Sequence, residues 1–171
     1  STERLQEKLA ELRGAGPGVP VPKAATPAPV VESASLAANL FDMAAQANES
    51  GNLAETEAYC NRIIELQPDD HRAWLLKGRA AGWQSTLLRI RIHEAANSFA
   101  RAITCAPSEE VNSVREACAG EIGAMSVAIV QLRAQRFVRW PDEEETAGFT
   151  TDLATIAGAI AALLGKSGVG A

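Results

Sequence analysis

Aromatic residues make up only 5% of the 171 residues, with three Trp, four Phe and one Tyr. An apolar set that is rich in alanine and poor in valine disfavours sheet and favours closely packed helices. Histidine is scarcer still. His71 and His93 lie far apart, and neither belongs to an HxxxH or HExxH pattern that would place two ligands on one helix face. The three cysteines, Cys60, Cys105 and Cys118, have no CxxC spacing. They are expected to be reduced thiols at small or apolar helix positions, so no cofactor or metal is expected. GxSxG, a Cys/His dyad and a carboxylate pair in an apolar frame are all missing, which argues against an enzyme. Gly165-Lys166-Ser167 resembles the end of a phosphate-binding loop, but Gly158 is seven residues ahead of Gly165 where five are required. Long apolar runs are missing too: Leu153–Leu164 covers 12 residues, against roughly 20 for a bilayer-spanning helix. The first residues, STERLQEKLAELR, are charged and do not read as a signal peptide. A cytoplasmic protein without a membrane partner is the expectation.

The net charge of -5 is unevenly distributed. Residues 1–70 carry -6, residues 71–140 carry +5 and residues 141–171 carry -4. Five prolines between Pro17 and Pro29 block helix and favour extended chain. The expected organisation is a short helix or arm over 1–13 with Leu5, Leu9 and Leu12 on one face, then a Pro/Ala-rich linker over 14–33. A helical domain over 34–165 and a tail over 166–171 follow. Ser33 or Ser35 is the expected cap of the first domain helix. The stretch 37–68 then forms two helices around Gly51-Asn52, the second ending before Pro68. Asp69-Asp70 is placed to cap a third helix containing Trp74, Leu75 and Gly78.

Leu40, Met43, Ala44, Ala47, Gly51, Ile63 and Pro68 together resemble the tetratricopeptide repeat, a helix-turn-helix unit of about 34 residues. Trp74, Gly78, Ala81, Ala95, Phe99, Ala102 and Pro107 form a second, better copy. In the first copy Thr56 replaces the usual small residue and Cys60 the usual aromatic. Pro68 to Pro107 spans 39 residues, so the second copy carries an insertion around Trp83–Ile92. Its AGWQSTL segment is similar to one in a group of bacterial tetratricopeptide-like proteins, some of which carry a zinc ribbon ahead of the linker. Here no Cys or His precedes Cys60, and the ribbon has no counterpart.

The resemblance implies an all-α fold of helical hairpins and a protein or peptide partner on the face formed by the first helices. The partner residues expected there are Phe41, Asn48, Leu75 and Arg79, with Ala45 beside them. Trp83, Gln84 and Arg89 of the insertion add a candidate edge. Phe41, Ala45 and Leu75 stand where the carboxylate-clamp subgroup has Lys and Asn, which disfavours chaperone tails. In the insertion, Trp83, Leu87, Leu88, Ile90 and Ile92 are expected to plug core. Beyond Pro107, Val111, Cys118, Met125 and Leu132 fall seven apart with Val114, Ile122 and Ile129 between them. That predicts one long helix ending near Trp140, and a last helix with Leu153, Ile156, Ile160 and Leu163 closing on it. The reading is a non-catalytic adaptor or scaffold. Its rivals are self-assembly as a homodimer through the N-terminal arm or last helix, and nucleic-acid binding by Arg133, Arg136 and Arg139. Asp142–Glu145 and the acidic isoelectric point weigh against the last.

Overall fold

A computed structural model describes residues 28–167, with side chains described for 32–163. The chain divides into two units, Ser1–Val30 and Val31–Ala171. The first unit lies almost wholly outside the described residues, as do the expected 1–13 helix, most of the linker and the last residues of the tail.

All regular structure among the described residues is helical: α1 (Ala28–Glu49), α2 (Leu53–Leu66), α3 (His71–Trp83), α4 (Ile92–Cys105), α5 (Val111–Arg139) and α6 (Glu143–Ser167). α1 starts at Ala28, ahead of the expected cap at Ser33 or Ser35, because Pro29 falls in the first turn, where its missing N–H costs nothing. It ends at Gly51, whose φ of 77° is the left-handed closure, with the Asn52 N–H donating to the Ala47 carbonyl at 2.8 Å. Asn52 then caps α2: its Oδ1 accepts the Glu55 N–H, and its Nδ2 donates to the Glu55 carboxylate at 2.7 Å. Asp70 caps α3 by accepting the N–H groups of Arg72 and Ala73. Asp142 accepts the Glu145 N–H at 2.7 Å near the start of α6.

The helices form consecutive hairpins. α3 packs on α2, α4 and α5, while α6 packs on α4 and α5. Ala37, Leu40 and Ala44 of α1 close a small core with Cys60, Ile63 and Ala73. Thr56 and Cys60, the two departures from the repeat pattern, are both fully buried. A larger core runs from Ile92 and Phe99 of α4 through Cys118, Ile122 and Met125 of α5 to Ile156 and Leu163 of α6. Gly78 is needed here, since a Cβ on it would lie 2.6 Å from Cε1 of Phe99.

Successive first helices run side by side in the same direction. Phe41 of α1 sits under Arg72 of α3, with 4.6 Å from guanidinium carbon to ring centroid. Further along, His71 meets Glu110 at 3.0 Å and Trp83 meets Glu121 at 2.9 Å. α5 therefore runs beside α3 in the same direction, and α5 and α6 pack antiparallel through Arg133–Asp152 and Arg136–Glu145.

The insertion fills core only at one end. Ile92 is fully buried and Ile90 packs partly against the core, but Leu88 is wholly exposed and Trp83 is 39% exposed. The physical reason is a tight turn: Thr86 and Arg89 exchange both backbone hydrogen bonds, at 3.0 and 3.1 Å, which forces Leu87-Leu88 to its tip.

Candidate functional site

The parallel first helices enclose a groove of about 550 Å³. α1 contributes Phe41, Ala45, Asn48 and Glu49; α3 contributes Arg72, Leu75, Leu76 and Arg79; α5 contributes Ala117, Gly120 and Glu121. The lining has an apolar floor with charge at the rim, because α1 and α3 present residues three, four and seven apart to the same side. Arg72 is held over Phe41 and pairs with Asp70 at 3.1 Å. Arg79 is half exposed, with its Nε 3.4 Å from Oε1 of Glu121. The other carboxylate oxygen of Glu121 accepts the Trp83 indole N–H at 2.9 Å. The Arg79 Nη groups make no hydrogen bond among those described, which leaves a cation able to meet an incoming acid.

The seven residues singled out from sequence thus separate. Phe41, Asn48, Leu75 and Arg79 come together in the groove. Trp83 reaches it only through Glu121. Gln84 turns the other way, its amide donating to the Ala80 carbonyl and the Glu57 carboxylate, both at 2.9 Å. Arg89 is exposed beside Glu94 at 3.5 Å. Arg72 was missed, although it lies seven residues before Arg79 and so on the same helical face. Ala117, Gly120 and Glu121 carried no such signal, since the repeat pattern fades before α5.

Behind the groove, the insertion is clamped to α2. Arg91 donates from both terminal nitrogens to Glu57, at 2.7 and 2.9 Å, with its side chain 11% exposed. The Arg91 hydrogen bonds hold the Glu57 carboxyl below its ordinary range against the opposing effect of burial, and those from Arg91 do the same for Glu94. Burial pushes the Cys60 thiol up to about 12 and Cys118 up to about 11, so neither forms thiolate at neutral pH.

Of the three arginines at the end of α5, Arg133 is taken up within the fold, while Arg136 and Arg139 stay exposed with partners of their own. Arg133 is buried and donates to Asp152 at 2.6 Å, to Glu145 at 3.2 Å and to the Leu87 carbonyl at 3.3 Å. Arg136 pairs with the other oxygen of Glu145, and Arg139 stacks on Trp140 at 4.7 Å. Arg133 is thereby withdrawn from the basic surface expected of Arg133, Arg136 and Arg139. The hydrogen bond from Arg136, then that from Arg133, holds Glu145 below its ordinary value.

Acid should therefore unfold the protein early. Folded-state pKa values of Glu57, Glu94 and Glu145 lie below the ordinary 4.5, so their contribution is complete above that pH and is lost as pH falls through the folded values. Melting temperature measured from pH 7 to pH 3 should fall steeply only below about 4.5. Glu57→Gln should be less stable at pH 7 and show a shallower acid loss; an unchanged acid slope would remove the Arg91 clamp from the account.

Among the described residues no group of three or more His, Cys, Asp or Glu is disposed to hold a metal. Glu143–Leu163 is long and apolar enough to cross a membrane by length and composition alone, and extends the Leu153–Leu164 run with Thr, Ala, Gly and Phe149 alongside four acidic residues. In this fold the same segment packs on α4 and α5 and carries Asp152 inward to Arg133. Comparison with protein-family models, with curated proteins and with solved structures gives no match.

Proposed function

We propose that this chain is a non-catalytic interaction module of the tetratricopeptide type, a cytoplasmic adaptor whose groove between α1, α3 and α5 receives an amphipathic helix or extended segment of a protein partner. The observation that carries the reading is the groove itself: an apolar floor of Phe41, Leu75 and Leu76 with the half-free Arg79 at its rim. Such a lining suits a segment with apolar anchors and one acidic residue. Arginine and aromatic side chains at the centre of a desolvated patch carry most of the energy in contacts of this kind.

The test is affinity capture from the native cell with the full chain as bait, comparing wild type with Leu75→Glu and Arg79→Ala. Both positions line the groove, but Leu75 also packs in part against the larger core, so helical circular dichroism and a melting curve on each variant must first show it folded. Groove-bound partners should fall at least tenfold in recovery with Leu75→Glu, equivalent to about 1.4 kcal/mol or more. Retention of the same partners by both variants would exclude the groove as the site.

A further inference from the structure

We infer that the groove between α1, α3 and α5 takes the N-terminal turn of an amphipathic partner helix at Arg79. The partner then runs antiparallel to the three lining helices, with its acidic residue ahead of its apolar anchors. This rests on the groove reading above and adds to it the direction and order of the ligand. It starts from an asymmetry between the two arginines of the rim. Arg72 and Arg79 lie seven residues apart on one face of α3, about 10 Å along the helix, with Leu75 and Leu76 between them. Arg72 is already engaged. Its Nε and Nη2 donate to the Asp70 carboxylate at 3.3 and 3.1 Å, and its guanidinium covers the Phe41 ring. Arg79 is held at Nε alone, by Glu121 at 3.4 Å, and Glu121 is itself fixed by the Trp83 indole. The two terminal nitrogens of Arg79 are left as a fork of donors, the geometry that receives a carboxylate through two parallel hydrogen bonds. Of the two arginines, Arg79 is the one able to take an incoming acid.

The surroundings of Arg79 decide which end of a helix brings that acid. Asn48 and Glu49, the last two residues of α1, line the groove at the same end. Neither side chain has a hydrogen bond or ion pair among the described residues. Two acceptors in that state call for N–H donors, and the first turn of a helix has four without partners. Acidic side chains are favoured in that same turn, against the positive end of the helix dipole. One cation beside two free acceptors therefore matches a helix N-terminus that carries its own acid. A helix C-terminus would set unpaired carbonyls against Glu49 and Glu121. The lining helices add a second, independent preference. α1 ends at Glu49 and α3 at Trp83, one turn beyond Arg79, so the negative ends of both dipoles gather here. A ligand antiparallel to them is favoured.

The ligand so defined is short. From Phe41 to Glu49, α1 offers about 12 Å, the length of roughly eight helical residues. One acid in the first turn, a first apolar anchor three or four residues later and a second at the same spacing beyond it all share one helix face. The anchors then lie over Leu75, Leu76 and Phe41, the apolar floor of the groove. The C-terminal end of the ligand falls beside His71 and Arg72, at the positive start of α3.

A phage-displayed library of random peptides about 16 residues long, roughly four helical turns, selected on the full chain, supplies the probes. Peptides whose capture is lost with both Leu75→Glu and Ala117→Trp are groove ligands. Ala117 is exposed on α5 and outside both cores, so its variant fills the groove without touching the fold. Among these ligands Asp or Glu should stand three or four residues before the first apolar anchor. Synthetic peptides with the same residues in reverse order should bind at least about tenfold more weakly by fluorescence anisotropy. Arg79→Gln should erase that difference, which separates contact with Arg79 from the peptide's own helicity. A nitroxide on the first residue of a selected peptide should broaden the amide signals of Glu49 and Glu121 more than those of Phe41 and Arg72. Groove ligands with the acid behind the anchors, with no acid, or with the nitroxide nearer Arg72 would overturn the inference and leave the groove reading standing. If no selected peptide depends on Leu75 and Ala117, the groove reading fails and this inference fails with it.

Discussion

Replacing Phe99 with alanine should cost about 3–5 kcal/mol of folding stability, the largest loss expected from any single apolar truncation here. Phe99 is the largest fully buried side chain and lies where α3, α4 and α5 meet. Its ring presses on Gly78, and the Cys118 thiol lies 3.9 Å from its carbonyl. Truncation removes the ring from a site whose neighbours belong to three different helices, so collapse around the cavity is limited. Urea denaturation should show a lower midpoint with an unchanged slope. A second substitution sharpens the test. Gly78→Ala should be strongly destabilising in the wild type, where the new methyl meets the ring, and much less so in Phe99→Ala, where only the Ala95 carbonyl at 3.1 Å still crowds it and helix propensity favours alanine. Additive effects of the two changes, or a loss below about 1 kcal/mol for Phe99→Ala, would show that α3 and α4 do not meet through this ring.

The second large effect is expected at Arg133. Arg133→Met keeps the volume but removes the cation between Asp152 and Glu145, leaving two carboxylates of low exposure facing an apolar chain. Breaking a buried pair from one side costs about 3 kcal/mol or more, whereas replacing both partners by apolar groups of similar size can be neutral. Arg133→Met with Asp152→Leu should therefore recover most of the loss. The sign of the pH dependence separates this cause from simple loss of packing. In Arg133→Met the Glu145 carboxyl loses one of the two arginine hydrogen bonds that hold it below its ordinary value, so the wild type's advantage is present above that value and shrinks as pH falls. The gap in melting temperature between variant and wild type should thus narrow toward pH 4. A gap that stays constant would point to packing alone.

The pairing at Arg133 also shows where sequence reasoning reaches its limit. The seam expected on α5 followed a strict seven-residue repeat through Val111, Cys118, Met125 and Leu132. A straight α-helix drifts by about 20° per heptad against that repeat, and the inward face rotates accordingly. It runs through Val114, Cys118, Ile122, Met125, Ile129 and then Arg133, while Leu132 is left 46% exposed. The error falls at the far end, where the drift has accumulated, and it exchanges a leucine for an arginine. Nothing local to Arg133 announces its partners, since Asp152 lies 19 residues on, across the turn into α6. Features set by nearest neighbours were legible, namely the Gly51 closure and the Asp70 cap, whereas the grouping of Phe41 and Asn48 with Leu75 and Arg79 was expected from the repeat resemblance and not from local sequence. The insertion was legible in length and place, but not in the direction of its side chains. Leu88 points outward because a backbone turn overrides the preference of leucine for the interior. The third wall of the groove escaped notice because Ala117 and Gly120 are small residues whose role depends on where α5 lies.

The two separate cores have a consequence for the order in which the chain can fold as it is made. The smaller core draws only on residues from Ala37 to Leu76, so it is complete once α3 has been synthesised. The larger one begins at Ile92 and is not closed until Leu163 is available. At ordinary rates of about 5–20 residues per second, that gap lasts several seconds. Throughout it, the first hairpin can hold its shape while Phe99 and the inner face of α5 still lack the side chains that cover them. Arg133 has no acidic partner until Glu145 and Asp152 arrive, which delays the settling of α5 in the same direction. A ribosome-bound chain stopped before α6 should accordingly be resistant to protease over α1–α3 and open beyond it.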